Sequence, residues 1–282
     1  MLVLPLIAVV LFTADLLWER RILRQTRIPI GTYLVYTSAV LTVFGVIGLI
    51  VTGQSLQPHT FSTTGLVVVG LLGLFSVGRN ITYYAGFRRE SLTKVDIFLI
   101  LQPLAVITIA AALFPNERHP GILIAAVVAS SALFFSHLRH RQLSFDRYER
   151  SLVFYILLSG LEAAAIKASF TFFSPLAVYT IRIFLVLIAS LVIFGPQQFS
   201  FQRRFMRILP AMVLSFFGYA VLYWSYQRNG LVVSNMVFLL QPVLLFAIAR
   251  EYFHERQPLR LAVAGTAIFF AVTYVFVLRL MS

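Results

Sequence analysis

The chain has 282 residues, a formal net charge of +13, 60% hydrophobic residues and only 12% charged ones, with a mean hydropathy of +0.89. A soluble domain carries about 25% charged residues, so half that share excludes an ordinary globular enzyme, and 15% aromatic residues exclude a disordered chain. Cysteine is absent, which removes disulfides, thiolate metal sites and thiol catalysis.

A helical membrane span needs about 20 apolar residues. Runs of that length fall at 2–20, 31–53, 64–87, 92–114, 120–138, 149–170, 174–194, 207–227, 231–250 and 258–279. The N-terminus lacks the basic leader of a signal peptide, so the first run is expected to be a retained helix. Pro29, Pro120, Pro175 and Pro258 stand at or just before helix starts, where a missing N–H costs little. Ten-residue alternating segments, the mark of a membrane barrel, do not occur. The expected fold is therefore an all-α integral membrane protein with ten transmembrane helices and no soluble domain.

Basic residues alternate between the two sides. The first, third, fifth, seventh and ninth connections hold 17 of the 23 Lys and Arg, among them Arg20, Arg21, Arg24, Arg27, Arg88, Arg89, Arg139, Arg141, Arg203, Arg204 and Arg256. The other connections and the termini hold Arg118, Lys167, Arg228 and Arg279. The positive-inside rule puts the first set in the cytoplasm and both termini outside. With the positive charge distributed between apolar runs, the lipid bilayer is the expected partner and nucleic acid is not.

The two halves repeat. Residues 76–103 align without gaps on 215–242, pairing Ser76 with Ser215, Tyr84 with Tyr223, Arg89 with Arg228, and Leu101-Gln102-Pro103 with Leu240-Gln241-Pro242. One residue of slippage later, Glu117-Arg118-His119-Pro120 meets Glu255-Arg256-Gln257-Pro258, and upstream Pro29 with Tyr33 meets Pro175 with Tyr179. The repeats run over 1–141 and 142–282, five spans each. An odd number of spans makes the second half enter the membrane from the opposite side, and such an inverted repeat is the architecture of secondary transporters.

These stretches resemble the EamA family of the drug/metabolite transporter superfamily, with a proline in the fourth helix of each half and a glutamate before the fifth. The resemblance covers essentially the whole chain. It implies a ten-helix carrier with its cavity between the halves, and leaves the cargo open among amino acids, nucleotide sugars, other metabolites and drugs.

Asp15, Arg79, Asp96, Glu162, Lys167 and Arg182 fall in or near the spans, where a lipid-exposed charge costs about 2.5–3.5 kcal/mol. Lys167, Lys94 and Asp96 lie close enough to helix ends to snorkel. Arg79 and Arg182 lie deeper, and must face a cavity or pair with an acid such as Glu162. Ser76, Asn80 and Tyr84 share one helix face, as do Ser215, Tyr219 and Tyr223, flanked by Arg79 and Tyr83 in one case and by Trp224 and Tyr226 in the other. Each stripe reads either as interhelical hydrogen bonding or as a cavity wall. Pro103 and Pro242 free the carbonyls of Leu99 and Phe238 mid-helix, forming kinks that serve packing or act as hinges. Asp15 and Glu162, within one residue of equivalence in the first helices of the two halves, are candidate proton-coupling groups. A first-helix carboxylate serves that purpose in the small multidrug carriers that the superfamily resemblance brings in.

Other signals lead nowhere. His254-Glu255-Arg256-Gln257 lacks the second histidine of a zinc motif, His137 and His140 belong to a basic loop, and no phosphate-binding loop is present. The expectation is a secondary carrier without cofactor or metal, not an enzyme, in the cell (inner) membrane as a monomer or homodimer. It would move a small polar or amphipathic metabolite, an amino acid or derivative being one candidate, by alternating access. Arg79, Asn80, Tyr83, Tyr84, Gln102, Arg182, Tyr219, Tyr223, Asn235 and Gln241 would bind the cargo. The alternatives are a proton-coupled cation exporter, a lipid-handling protein or membrane enzyme, and a non-transporting subunit.

Overall fold

The computed structural model describes residues 3–25, 28–54, 62–89, 92–137, 147–195, 206, 208–244, 248 and 259–281. Ten helices carry them, and among the described residues there is no strand. They are α1 (Val3–Gln25), α2 (Ile30–Thr52), α3 (Thr63–Arg89), α4 (Leu92–Leu113), α5 (Pro120–His137), α6 (Arg147–Ser169), α7 (Pro175–Phe194), α8 (Leu209–Asn229), α9 (Leu231–Phe238) and α10 (Leu259–Met281). A short 3₁₀ turn at Pro115–Glu117 joins α4 to α5.

The helix starts follow local chemistry. Pro175 opens α7, where its missing N–H falls among donors that have no acceptor within the helix, and the Ser174 hydroxyl accepts from the Ala177 N–H at 3.3 Å. Gly53 ends α2 in the left-handed region at φ 63°, a conformation that glycine reaches without a Cβ penalty.

Among the described residues, five helices are long and apolar enough to cross a bilayer: α2, most of α3 and α6, α7 and α8. Shorter apolar stretches among the described residues lie in α4, α5 and α10 and over Leu231–Leu244. The outer surface matches, since Ile50, Val51 and Val192 are each at least three-quarters exposed. In water such a surface would be an aggregation liability; against acyl chains it is the solvated state.

The helix contacts pair up between α1–α5 and α6–α10. Exchanging each helix of the first half with its counterpart in the second turns the α1–α8 contact into α6–α3, α1–α9 into α6–α4, and α2–α8 into α7–α3, and all of these occur. The α2–α7, α4–α9 and α5–α10 contacts map onto themselves. Close crossings are made by glycines: a Cβ on Gly45 of α2 would lie 2.6 Å from the Thr180 hydroxyl of α7.

One span differs from expectation. The run expected as a single helix over 231–250 breaks at Leu239, whose N–H bonds the Met236 carbonyl at 3.2 Å in a tight turn, before helix resumes at 240–244. Pro242 has no N–H for the Phe238 carbonyl, and the break falls beside that missing bond. Pro103 lies inside a continuous α4, so the two aligned prolines are not equivalent. The basic residues at 139, 141, 203, 204 and 256, like Pro258 and Glu255, lie outside the described residues, as do the side chains of Arg20, Arg21, Arg24, Arg88, Arg89, Lys94 and Asp96.

Candidate functional site

Asp15 and Glu19 are one helical turn apart on α1, which puts both on one face. Both are buried, at 8% and 7% exposure. The Ser215 hydroxyl of α8 donates to Asp15 Oδ2. Glu19 Oε1 accepts from the phenols of Tyr33 (2.5 Å) and Tyr84 (2.9 Å), on α2 and α3. Among the described residues, no Lys or Arg bonds either carboxylate, and Asp15 Oδ1 is buried with no hydrogen-bond partner.

Across the bundle the arrangement is the reverse. Glu162 of α6 accepts from Arg79 Nη1 of α3 at 2.8 Å and from Arg182 Nε of α7 at 2.6 Å. Arg182 also reaches the Ser76 hydroxyl at 3.3 Å, and its guanidinium lies 4.8 Å above the Tyr219 ring. Arg79 donates to the Tyr219 hydroxyl at 3.2 Å and sits over the Tyr155 ring. Two guanidiniums, the buried Arg182 and the partly exposed Arg79, thus share one carboxylate, and Arg182 Nη1 has no hydrogen-bond partner among the described residues.

The sequence alignment pairs positions in these two clusters. Asp15 accepts from Ser215, and Arg182, which bonds Glu162, also donates to Ser76; the two serines are the aligned pair of α3 and α8. Each cluster around a carboxylate of α1 or α6 therefore includes one of the aligned serines. The charge around them does not repeat. The offset that pairs the serines puts Gly218 opposite Arg79, and the offset that pairs Pro29 with Pro175 puts Tyr36 opposite Arg182. Among the described residues, Glu162 holds two cations and Asp15 holds none.

Between the clusters lies a cavity of about 160 Å³. An apolar cavity of roughly 150 Å³ admits a benzene ring, so this one suits a cargo of comparable size. Its lining includes Asp15, Glu19, Arg79, Asn80, Tyr83, Tyr84, Gln102, Pro103, Arg182, Tyr219, Asn235 and Gln241. Some amides are already engaged: Asn80 donates to the Ser76 carbonyl at 2.8 Å, and Gln102 accepts from the Tyr155 hydroxyl at 2.6 Å. Among the described residues no group of three His, Asp or Glu side chains gathers as a metal site.

One position expected to line the cavity stands elsewhere. Tyr223 is fully buried behind the wall, among the rings of Phe170, Tyr179, Tyr219 and Tyr226, because it falls one turn past Tyr219 where α8 turns into the aromatic core. Glu162 lies behind its arginines, and Pro242 is off the cavity lining. Glu19 and Tyr155 line the cavity without having been expected, and Tyr226, which flanks the second stripe, lines it as well. The spacing of Glu19 four residues after Asp15 is a signal that was present for the first; nothing local marks Tyr155.

Lys167 belongs to a separate cluster. Glu117, on the 3₁₀ turn after α4, accepts from the Leu231 and Val232 N–H groups at the start of α9 (2.9 and 3.1 Å) and from Lys167 at the end of α6.

No family model and no curated protein matches the chain. A solved structure, a crystal structure of a protein, shares the fold with a TM-score of 0.71 over 99% of this chain and 98% of that one, at 15% identity. At that identity the likeness concerns the fold alone.

Proposed function

We propose that the chain is a secondary carrier of the drug/metabolite transporter type, built as two inverted five-helix repeats in the cell (inner) membrane. It moves a small metabolite bearing an ammonium group and an anionic end by alternating access. The observation that carries the reading is the broken charge symmetry: Asp15 lies within one residue of equivalence to Glu162, yet among the described residues no Lys or Arg bonds it. A buried charge without a counter-charge is costly, so a cation that leaves with each cycle belongs there. The cargo ammonium binds the free oxygen of Asp15, its anionic end meets the free Arg182 nitrogen, and its apolar part lies on Phe12, Tyr83 and Tyr219. A proton competes with the ammonium for the same carboxylate, which couples proton flow to transport. The exchange of contacts between the halves and the even-numbered connections that meet at Glu117 are what this topology requires.

The test is a thermal-shift comparison of zwitterionic, cationic and neutral metabolites of similar size, followed by uptake into proteoliposomes under an imposed pH gradient. Zwitterions should stabilise the protein and Asp15→Asn should abolish the effect. Stabilisation by none of the classes, with no uptake, would end the reading. A proton-coupled exporter of cations is the second reading, favoured by the two carboxylates of α1 that no Lys or Arg bonds among the described residues; cations alone would then stabilise.

A further inference from the structure

The cavity floor at Tyr226 separates two spaces. Tyr226 lines the central cavity and also a second pocket of about 380 Å³, which is walled by Asn116, Glu117, Lys167, Thr171, Gln227 and Arg228. Its ring stacks at 18° on Tyr223, and its hydroxyl accepts from Asn235 Nδ2 at 3.2 Å. Asn235 in turn donates to the Leu231 carbonyl at 2.9 Å, in the first turn of α9. One turn of α9 thus carries the floor at one end and the Glu117 carboxylate at the other.

That carboxylate ties the halves together. The turn after α4 belongs to the first repeat, whereas α6 and α9 belong to the second. Glu117 is 3% exposed and bonds two otherwise unpartnered donors of α9, as a carboxylate at a positive helix end does. Its closeness demands Gly230: a Cβ there would fall 2.6 Å from Oε1, and the residue has φ 85°. Lys167 completes the contact and lies 4.9 Å from the centre of the Phe114 ring.

We infer that Glu117 is the latch of one end of the transport path. It holds the start of α9 so that Tyr226 and Asn235 close the cavity, and the pocket beyond Tyr226 is the vestibule through which cargo passes when the latch opens. The inference rests on the carrier reading, since only alternating access gives the latch two positions. The vestibule, edged by Lys167 and Arg228, draws in the anionic end of the same cargo.

The absence of native cysteine makes the test direct. A single cysteine replaces Met212, which lines the cavity, and its reaction with a membrane-impermeant thiol reagent is followed from each face in oriented vesicles without cargo. A second cysteine series replaces Ala177, buried in the core away from the cavity. Hydrogen bonds to a charged group shift an equilibrium by about tenfold or more each. In Glu117→Gln, therefore, Met212→Cys should react at least about tenfold faster from the Glu117 face alone, with Ala177→Cys unchanged. Tyr226→Phe, which keeps the ring and loses one hydrogen bond, should give a smaller rise from the same face. No rise in either variant, an equal rise from both faces, or a parallel rise at position 177 overturns the latch. Because the readout needs no cargo, the labelling result is read independently of the substrate screen, and working transport with unchanged labelling refutes the latch alone.

Discussion

Replacing Glu162 with Gln keeps the shape and the hydrogen-bonding atoms and removes one charge. Glu162 and Arg182 are 3% and 2% exposed, and Arg79 completes the triad. The substitution leaves two guanidiniums facing each other over a neutral amide. Breaking a buried ion pair from one side costs about 3–5 kcal/mol, because the surviving charge stays desolvated. A native domain holds only about 5–15 kcal/mol in all, so the variant should lose a large part of its stability. Adding Arg182→Met removes one of the stranded charges and should recover more than half of the loss, since apolar replacement of a whole buried pair is often close to neutral. Unfolding in mixed detergent micelles, followed by fluorescence of the two tryptophans, gives both values. A single variant within about 1 kcal/mol of the parent, or a double variant no better than the single, would refute the triad as the structural anchor of the site.

Other outcomes follow from the same geometry. Asp15→Asn should abolish uptake driven by a pH gradient in proteoliposomes, whereas Glu162→Gln should lower stability and leave any residual uptake pH-dependent; the reverse result would exchange their roles. Pro242→Ala should let α9 run unbroken past Leu239, leaving stability equal or higher and slowing turnover, and Pro103→Ala should do less because α4 is already continuous; equal effects on turnover would remove the hinge. Gly45→Val should cost about 1–3 kcal/mol through overpacking against Thr180. Gly70→Ala, with nothing within 4 Å of its Cβ, should be neutral or stabilising in the same unfolding assay.

Hydropathy and the prolines by themselves determined ten helices, most boundaries to within a few residues, and the pairing of residues 76–103 with 215–242. These follow from local properties: an apolar run must become a helix in lipid, since its backbone has no other hydrogen-bond partners there. The alignment also brought Asp15 and Glu162 to within one residue of equivalence. Which of them is paired was not legible, because Arg79 and Arg182 reach Glu162 across 83 and 20 residues of chain and Ser215 reaches Asp15 across 200. Glu19 was readable in principle from its spacing, but its two phenol partners come from other helices. Tyr223 shows the opposite case: helical period set its angle around α8, and only the neighbouring rings decided that this angle meets a packed core. Glu117 was visible as part of a repeated motif, while its hold on α9 required the turn after α4 to meet the start of a helix more than a hundred residues away. Side-chain charge is written locally, but the counter-charge that neutralises it is fixed by whichever helices the fold brings together.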